Sequence, residues 1–141
     1  MCLAEIWDKR YPHKTGYKLL YKEKGKFHTG MCDADRVEIN KDEYAKAKPV
    51  DIEISDTCEL YNGGFHIFPT LYETRKVLKF LDSEEDDFNE FSNIVICKVA
   101  FEEQTNYGLV NWWSTKGGVY NRFPTRCVVA QKCKLLNEVR Q

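Results

Sequence analysis

The stretch Gly63-Gly64-Phe65-His66-Ile67-Phe68-Pro69-Thr70-Leu71-Tyr72-Glu73 holds a tight turn, a strand and a helix start. The glycine pair permits either positive φ or close backbone approach. Phe65-His66-Ile67-Phe68 suits a pleated strand. Thr70 and Glu73 have the spacing of a capping box, in which a hydroxyl and an acid satisfy the first free amides of a helix.

Downstream, Leu71, Leu78 and Leu81 with Val77 cluster on one side at a 3.6 period, whereas Arg75, Lys76 and Lys79 lie largely outside that stripe. This predicts a helix over Leu71 to Leu81 lying against a sheet. Upstream, Val50-Asp51-Ile52-Glu53-Ile54 alternates as a half-buried strand does. Asn40 to Ala47 offers a cap and an acid three residues on, and Pro49 limits it to a short helix. Tyr17 to Tyr21 and Phe27 to Thr29 flank a glycine-containing turn and predict a β-hairpin.

The C-terminal third is β-rich. Asn93 to Phe101 is a β-branched run with few polar breaks, predicting a central strand buried on both faces. Tyr107 to Trp113 and Val119 to Phe123 flank Ser114-Thr115-Lys116-Gly117-Gly118 and predict a second hairpin, with a last strand over Arg126 to Leu136. The expected fold is α+β, a single domain over residues 1–141, with a mainly antiparallel sheet and one main helix packed on it. No internal repeat or flexible linker divides the chain.

Composition narrows the function classes. Hydrophobic residues are 43% and charged residues 30% of 141, enough apolar content for one buried core. A net charge of -1 gives no global attraction to nucleic acid or acidic lipid and argues against DNA as a partner. No apolar run approaches membrane length and the N-terminus has no export pattern, so a cytoplasmic protein is expected. The six cysteines, Cys2, Cys32, Cys58, Cys97, Cys127 and Cys133, then read as reduced and structural. No Cys-x-x-Cys occurs, so no metal or other cofactor is predicted.

Two regions could carry function. His66, between Phe65 and Ile67, reads either as a buried histidine bonded to a backbone carbonyl or as one wall of a pocket. A base or metal ligand would need partners that local spacing does not supply, and no catalytic set is predicted. Pairing Cys58 or Cys127 with His66 fails because both cysteines precede or occupy strands, away from a helix N-terminus.

The other region runs from Asn111 to Arg126. Neighbours on a strand face opposite sides, so Trp112 and Trp113 cannot share one core. The exposed tryptophan either works beside Lys116, Arg122 and Arg126 as a stacking or interface anchor, or is covered by the helix or by a subunit neighbour in a homo-oligomer. Phe65, His66, Trp112, Trp113, Lys116, Arg122 and Arg126 are the candidate ligand-binding residues. Asp82 to Asp87 reads as a solvated acidic loop, whose Glu84, Glu85, Asp86 and Asp87 could instead attract a basic partner.

The order Tyr17-Lys18-Leu19-Leu20, Gly64-Phe65-His66-Ile67-Phe68 before a helix, Val95-Ile96-Cys97-Lys98-Val99, then Arg126-Cys127-Val128-Val129-Ala130 resembles small, mostly phage-encoded proteins of uncharacterised function with a Gly-Phe-His-aromatic core motif. The resemblance spans about residues 17 to 136, and Gly64-Phe65-His66 is its distinctive part. It implies a viral accessory protein, and the Tyr107 to Arg126 insertion departs from the short turn expected there. The expected function is non-enzymatic: antagonism of host defence by sequestering a small anionic, nucleotide-like ligand or by binding a host protein. A small enzyme using His66 and a structural virion protein are the alternatives.

Overall fold

The structure, a computed structural model, describes residues 3–30, 36–48, 51–54, 60–83, 93–114 and 121–139. The chain runs β1 (Glu5–Ile6), β2 (Thr15–Glu23), β3 (Lys26–His28), β4 (Glu38–Ile39), β5 (Ala45–Lys46), β6 (Asp51–Glu53), β7 (Leu60–Asn62), β8 (Phe65–Ile67), α1 (Leu71–Ser83), β9 (Ile94–Ser114) and β10 (Asn121–Glu138). Among the described residues it is mostly antiparallel sheet with one helix. The main sheet has the order β4-β3-β2-β9-β10-β5, with β1 on β9 and β8 on β10, while β6 and β7 pair separately.

The first hairpin forms as expected. Lys24 and Gly25 both take positive φ, 49° and 76°, the geometry that matches a two-residue turn to the twist of its strands. The glycine stretch lays β8 against β10, His66 opposite Val129. Gly64 serves close approach: a Cβ there would sit 2.6 Å from the Ala130 carbonyl oxygen. Just past β8, Phe68 exchanges two backbone bonds with Tyr17, at 2.7 and 2.8 Å. That exchange joins β8 back to β2 and nearly closes a barrel-like ring through β9 and β10.

β9 and β10 are each longer than the sequence suggests. The two strands expected over Asn93 to Phe101 and Tyr107 to Trp113 are halves of one, and β10 likewise fuses two. The join in β9 is a bulge: Val129 pairs with Asn106 and Ala130 with Gln104, so Thr105 is an extra residue. Pro124 is tolerated inside β10 because of the direction in which its nitrogen points. The Arg126 amide, two residues on, bonds a helix side chain instead of β9, so by the period of two the Pro124 nitrogen also faces away from β9.

The short helix expected over Asn40 to Ala47 is absent. Asn40 Oδ1 accepts the Asp42 and Glu43 amides at 3.1 and 3.2 Å, turning the chain into β5, whose Cys133 and Lys132 pairings add a sheet edge. A side chain able to cap a helix can equally close a turn, and the available strand edge decides the competition.

Alternation along the strands makes two apolar layers. Leu19, Ile96, Val110, Trp112 and Val129 face α1, where they meet Val77, Leu78 and Leu81. Leu20, Phe65, Ile67, Cys97, Val99, Val128 and Ala130 pack on the opposite face. Ile96 and Cys97, both fully buried on opposite faces, show the central strand expected there. Cys97, Cys127 and Cys133 are buried thiols, and burial pushes Cys97 up to about 12. α1 continues through Asp82 and Ser83, which the sequence placed in a loop; Glu84, Glu85, Asp86 and Asp87 lie outside the described residues, as do Lys116, Cys2, Cys32 and Cys58.

Candidate functional site

Past the bulge β1 still flanks β9 at Gly108 and Leu109, and from Val110 onward β9 and β10 form a two-stranded ribbon; their register places Trp113 opposite Arg122, Asn111 opposite Pro124 and Leu109 opposite Arg126. Alternation puts Trp112 on the helix side of this ribbon and Trp113 on the other. Trp112 is 9% exposed and Trp113 46%, so the two tryptophans divide as their adjacency requires.

Trp112 is the structural one. Its ring lies 6.1 Å from Phe80, 6.3 Å from Phe68 and 6.4 Å from Phe123, and its indole N–H donates to Thr125 Oγ1 at 2.9 Å. Lys76 sits 5.0 Å over Phe123. This layer ties the ribbon to α1. On the outer face the Arg122 guanidinium lies 5.5 Å from the Trp113 ring centroid, a cross-strand cation–π pair.

At the base of the ribbon Arg126 is already engaged. Its Nη2 and Nε donate to Glu73 Oε1 at 2.7 and 3.0 Å, and its backbone N–H donates to Glu73 Oε2 at 2.6 Å. Thr70 Oγ1 also donates to Glu73 Oε1 at 2.9 Å and accepts the Glu73 amide at 3.2 Å. The capping pair therefore forms, but its carboxylate is turned outward to hold the sheet. Hydrogen bonding to Glu73 raises the Arg126 pKa above its ordinary value, so its charge is compensated within the fold.

Phe65 and His66 are each 1% exposed. The His66 ring meets the Tyr61 hydroxyl through Nε2 at 3.3 Å, and Tyr61 in turn accepts the Leu3 amide at 3.0 Å. Lys18, itself buried, donates from Nζ to the His66 carbonyl at 2.8 Å and lies 5.9 Å from the Phe65 ring. The sequence-selected residues thus separate: Trp113 and Arg122 meet on the ribbon's outer face, Arg126 is pinned at its base, and Trp112, Phe65 and His66 are interior.

A concave site lies elsewhere. The segment from Arg10 to Lys14 straps across β9 at the bulge and borders a cleft of about 520 Å³ lined by that segment on one side and by Phe101, Glu102, Glu103 and Gln104 on the other; a neighbouring cleft of about 280 Å³ shares Arg10 and Gln104. The Gln104 amide clamps the strap by accepting from the Tyr11 N–H at 2.8 Å and donating to the Tyr11 carbonyl at 3.0 Å. Farther along, the Phe101 amide donates to the Lys14 carbonyl at 2.9 Å. Burial pushes the Tyr11 hydroxyl above its usual 10.0, opposed by Arg126 and reinforced by Tyr107 and Glu73.

Sequence reasoning missed this cleft because its residues carry no motif and become neighbours through pairings more than ninety positions apart, such as Tyr11 with Gln104. The available signal was Arg10-Tyr11-Pro12-His13-Lys14, a dense mixture of cations and rings outside any predicted element. Among the described residues no three His, Cys, Asp or Glu side chains gather at metal-binding distance, and no helix is long and apolar enough to cross a membrane. Comparison with known protein families, curated proteins and solved structures returns no match to this chain.

Proposed function

We propose that this chain is a non-enzymatic binding protein that engages a partner protein through the outer face of the β9–β10 ribbon, with Trp113 and Arg122 as its anchors. The observation that carries this reading is the exposed Trp113 ring held by Arg122 on a ribbon braced from behind by Trp112, Phe80 and Phe123. Tryptophan and arginine dominate binding hot spots, and bracing reduces the ordering cost of association. A projecting ribbon face suits a macromolecular surface better than a small molecule, which is usually held in a concavity. With Arg126 committed to Glu73, the anionic-ligand version loses one of the cations it relied on. The resemblance to phage-encoded accessory proteins makes the partner a host protein in the host cytoplasm.

The test is affinity capture from bacterial lysate followed by reconstitution with the purified partner. Trp113→Ala and Arg122→Ala are each expected to weaken binding at least tenfold with unchanged unfolding midpoints. Capture that survives both substitutions would remove the ribbon from the function. Nucleotide binding that is lost in Trp113→Ala would return the reading to a sequestered small ligand.

A further inference from the structure

We propose that the cleft between the Arg10 to Lys14 strap and the β9 bulge is a second, independent binding site for a small phosphate monoester carried on a planar ring, of nucleoside monophosphate size. Its volume of about 520 Å³ lies within the range typical of small-molecule sites.

The charge distribution selects an anion. Arg10, His13 and Lys14 all line the cleft, and among the described residues none of them pairs with a carboxylate; Arg10 Nη2 donates to the Gln104 backbone carbonyl at 2.7 Å. Of the two acids on the facing wall, one is paired. Glu103 pairs with Lys132 at 3.2 Å, while Glu102 keeps its negative charge beside Tyr44, whose hydroxyl burial and that charge together push above the usual 10.0. With Glu103 paired to Lys132, Arg10 and Lys14 outnumber the remaining acid, Glu102, and their guanidinium and ammonium donors with the His13 ring match the several oxygens of a phosphate better than a single carboxylate.

The lining also selects a ring. Phe101 is buried beneath Tyr11, 6.5 Å away between centroids, and the half-buried Tyr11 with the exposed His13 edge-on to it at 5.2 Å supplies the ring surface beside the cations. Two features hold the cleft open in advance. The Gln104 amide and the Phe101–Lys14 bond fix the strap at two points, and Glu103 takes a left-handed φ of 58° at the bulge. Non-glycine residues rarely adopt that conformation, and it is found preferentially where local geometry serves a site.

Titration of the full chain with the four ribonucleoside monophosphates at low ionic strength, followed by calorimetry and amide chemical shifts, tests this site separately from the ribbon. Saturable binding of at least one nucleotide is expected, with shifts centred on residues 10–14 and 101–105. Lys14→Gln and Arg10→Gln should each weaken it about fivefold to tenfold. The matching nucleoside, lacking the phosphate, should not bind, and Trp113→Ala should leave the affinity unchanged. Lys14 is exposed and its side chain has no partner among the described residues, so its substitution reports on the ligand without disturbing the fold. Absence of saturable binding, equal binding of the nucleoside, indifference to both cation substitutions, or loss of binding in Trp113→Ala would each overturn the proposal.

Discussion

Removing the Glu73 carboxylate tests whether one side chain joins the helix start to the sheet. Glu73 accepts from the Arg126 backbone N–H, from two guanidinium nitrogens and from the Thr70 hydroxyl, and its side chain is 13% exposed against 40% for Arg126. The contributions differ in kind. The guanidinium pair is partly solvated and is worth at most about 1 kcal/mol. The bond from the strand amide to a largely buried carboxylate is worth roughly 1.5–3 kcal/mol, because its loss leaves the amide without that acceptor. An acid in the first helical turn adds about 0.3–1 kcal/mol.

Glu73→Ala should therefore cost about 3 kcal/mol, whereas Arg126→Ala, which leaves the amide and hydroxyl bonds to Glu73 intact, should cost about 1 kcal/mol. Glu73→Gln, which keeps an acceptor and loses the charge, should fall between them. Urea unfolding monitored by far-UV circular dichroism measures all three, and the Glu73/Arg126 double-mutant cycle should show a coupling of about 1 kcal/mol. If Arg126→Ala costs as much as Glu73→Ala, the dominant contact is the ion pair and the reasoning fails.

Four further outcomes follow from contacts elsewhere in the fold. Trp112→Ala should destabilise by about 3–5 kcal/mol, while Trp113→Ala should stay within about 0.5 kcal/mol, and equal denaturation midpoints would contradict their assigned faces. Because the Cys97 thiol is raised from its ordinary 9.0 to about 12, the unfolded chain ionises first; stability should fall by up to about 1.4 kcal/mol per pH unit from pH 9 upward through pH 12, and Cys97→Ala should lessen that slope. Cys97 should also resist iodoacetamide at pH 8 until the chain unfolds, as peptide mapping would show. Gly64→Ala forces a methyl against the Ala130 carbonyl and should cost about 1–3 kcal/mol by thermal melting; a neutral effect would mean that β8 shifts freely on β10.

Local information in the sequence was enough for the elements whose neighbours are close in the chain. The Lys24-Gly25 turn, the Thr70 cap, the apolar stripe of α1 and the opposite facing of Trp112 and Trp113 follow from φ preferences, hydrogen-bonding groups and periodicities that act over a few residues. Asn40 shows where local chemistry is ambiguous, since its side chain can start a helix or close a turn and a strand edge contributed by β10 decides. The long strands were read as halves because a bulge and a proline resemble interruptions until a partner strand spans them.

The candidate sites divide along the same line. Trp113 and Arg122 could be singled out because alternation predicts an exposed tryptophan, but their contact depends on the register of β9 against β10. That Arg126 is committed to Glu73, and that His66 is buried beside Tyr61, required the packed helix and the nearly closed ring. The cleft under the Arg10 to Lys14 strap lay wholly beyond the sequence, because it exists only where a segment near the N-terminus crosses a bulge some ninety residues later. The sequence determined what each short segment can become; the tertiary structure determined which charges are compensated and which still face solvent, since compensation depends on distances between groups remote along the chain.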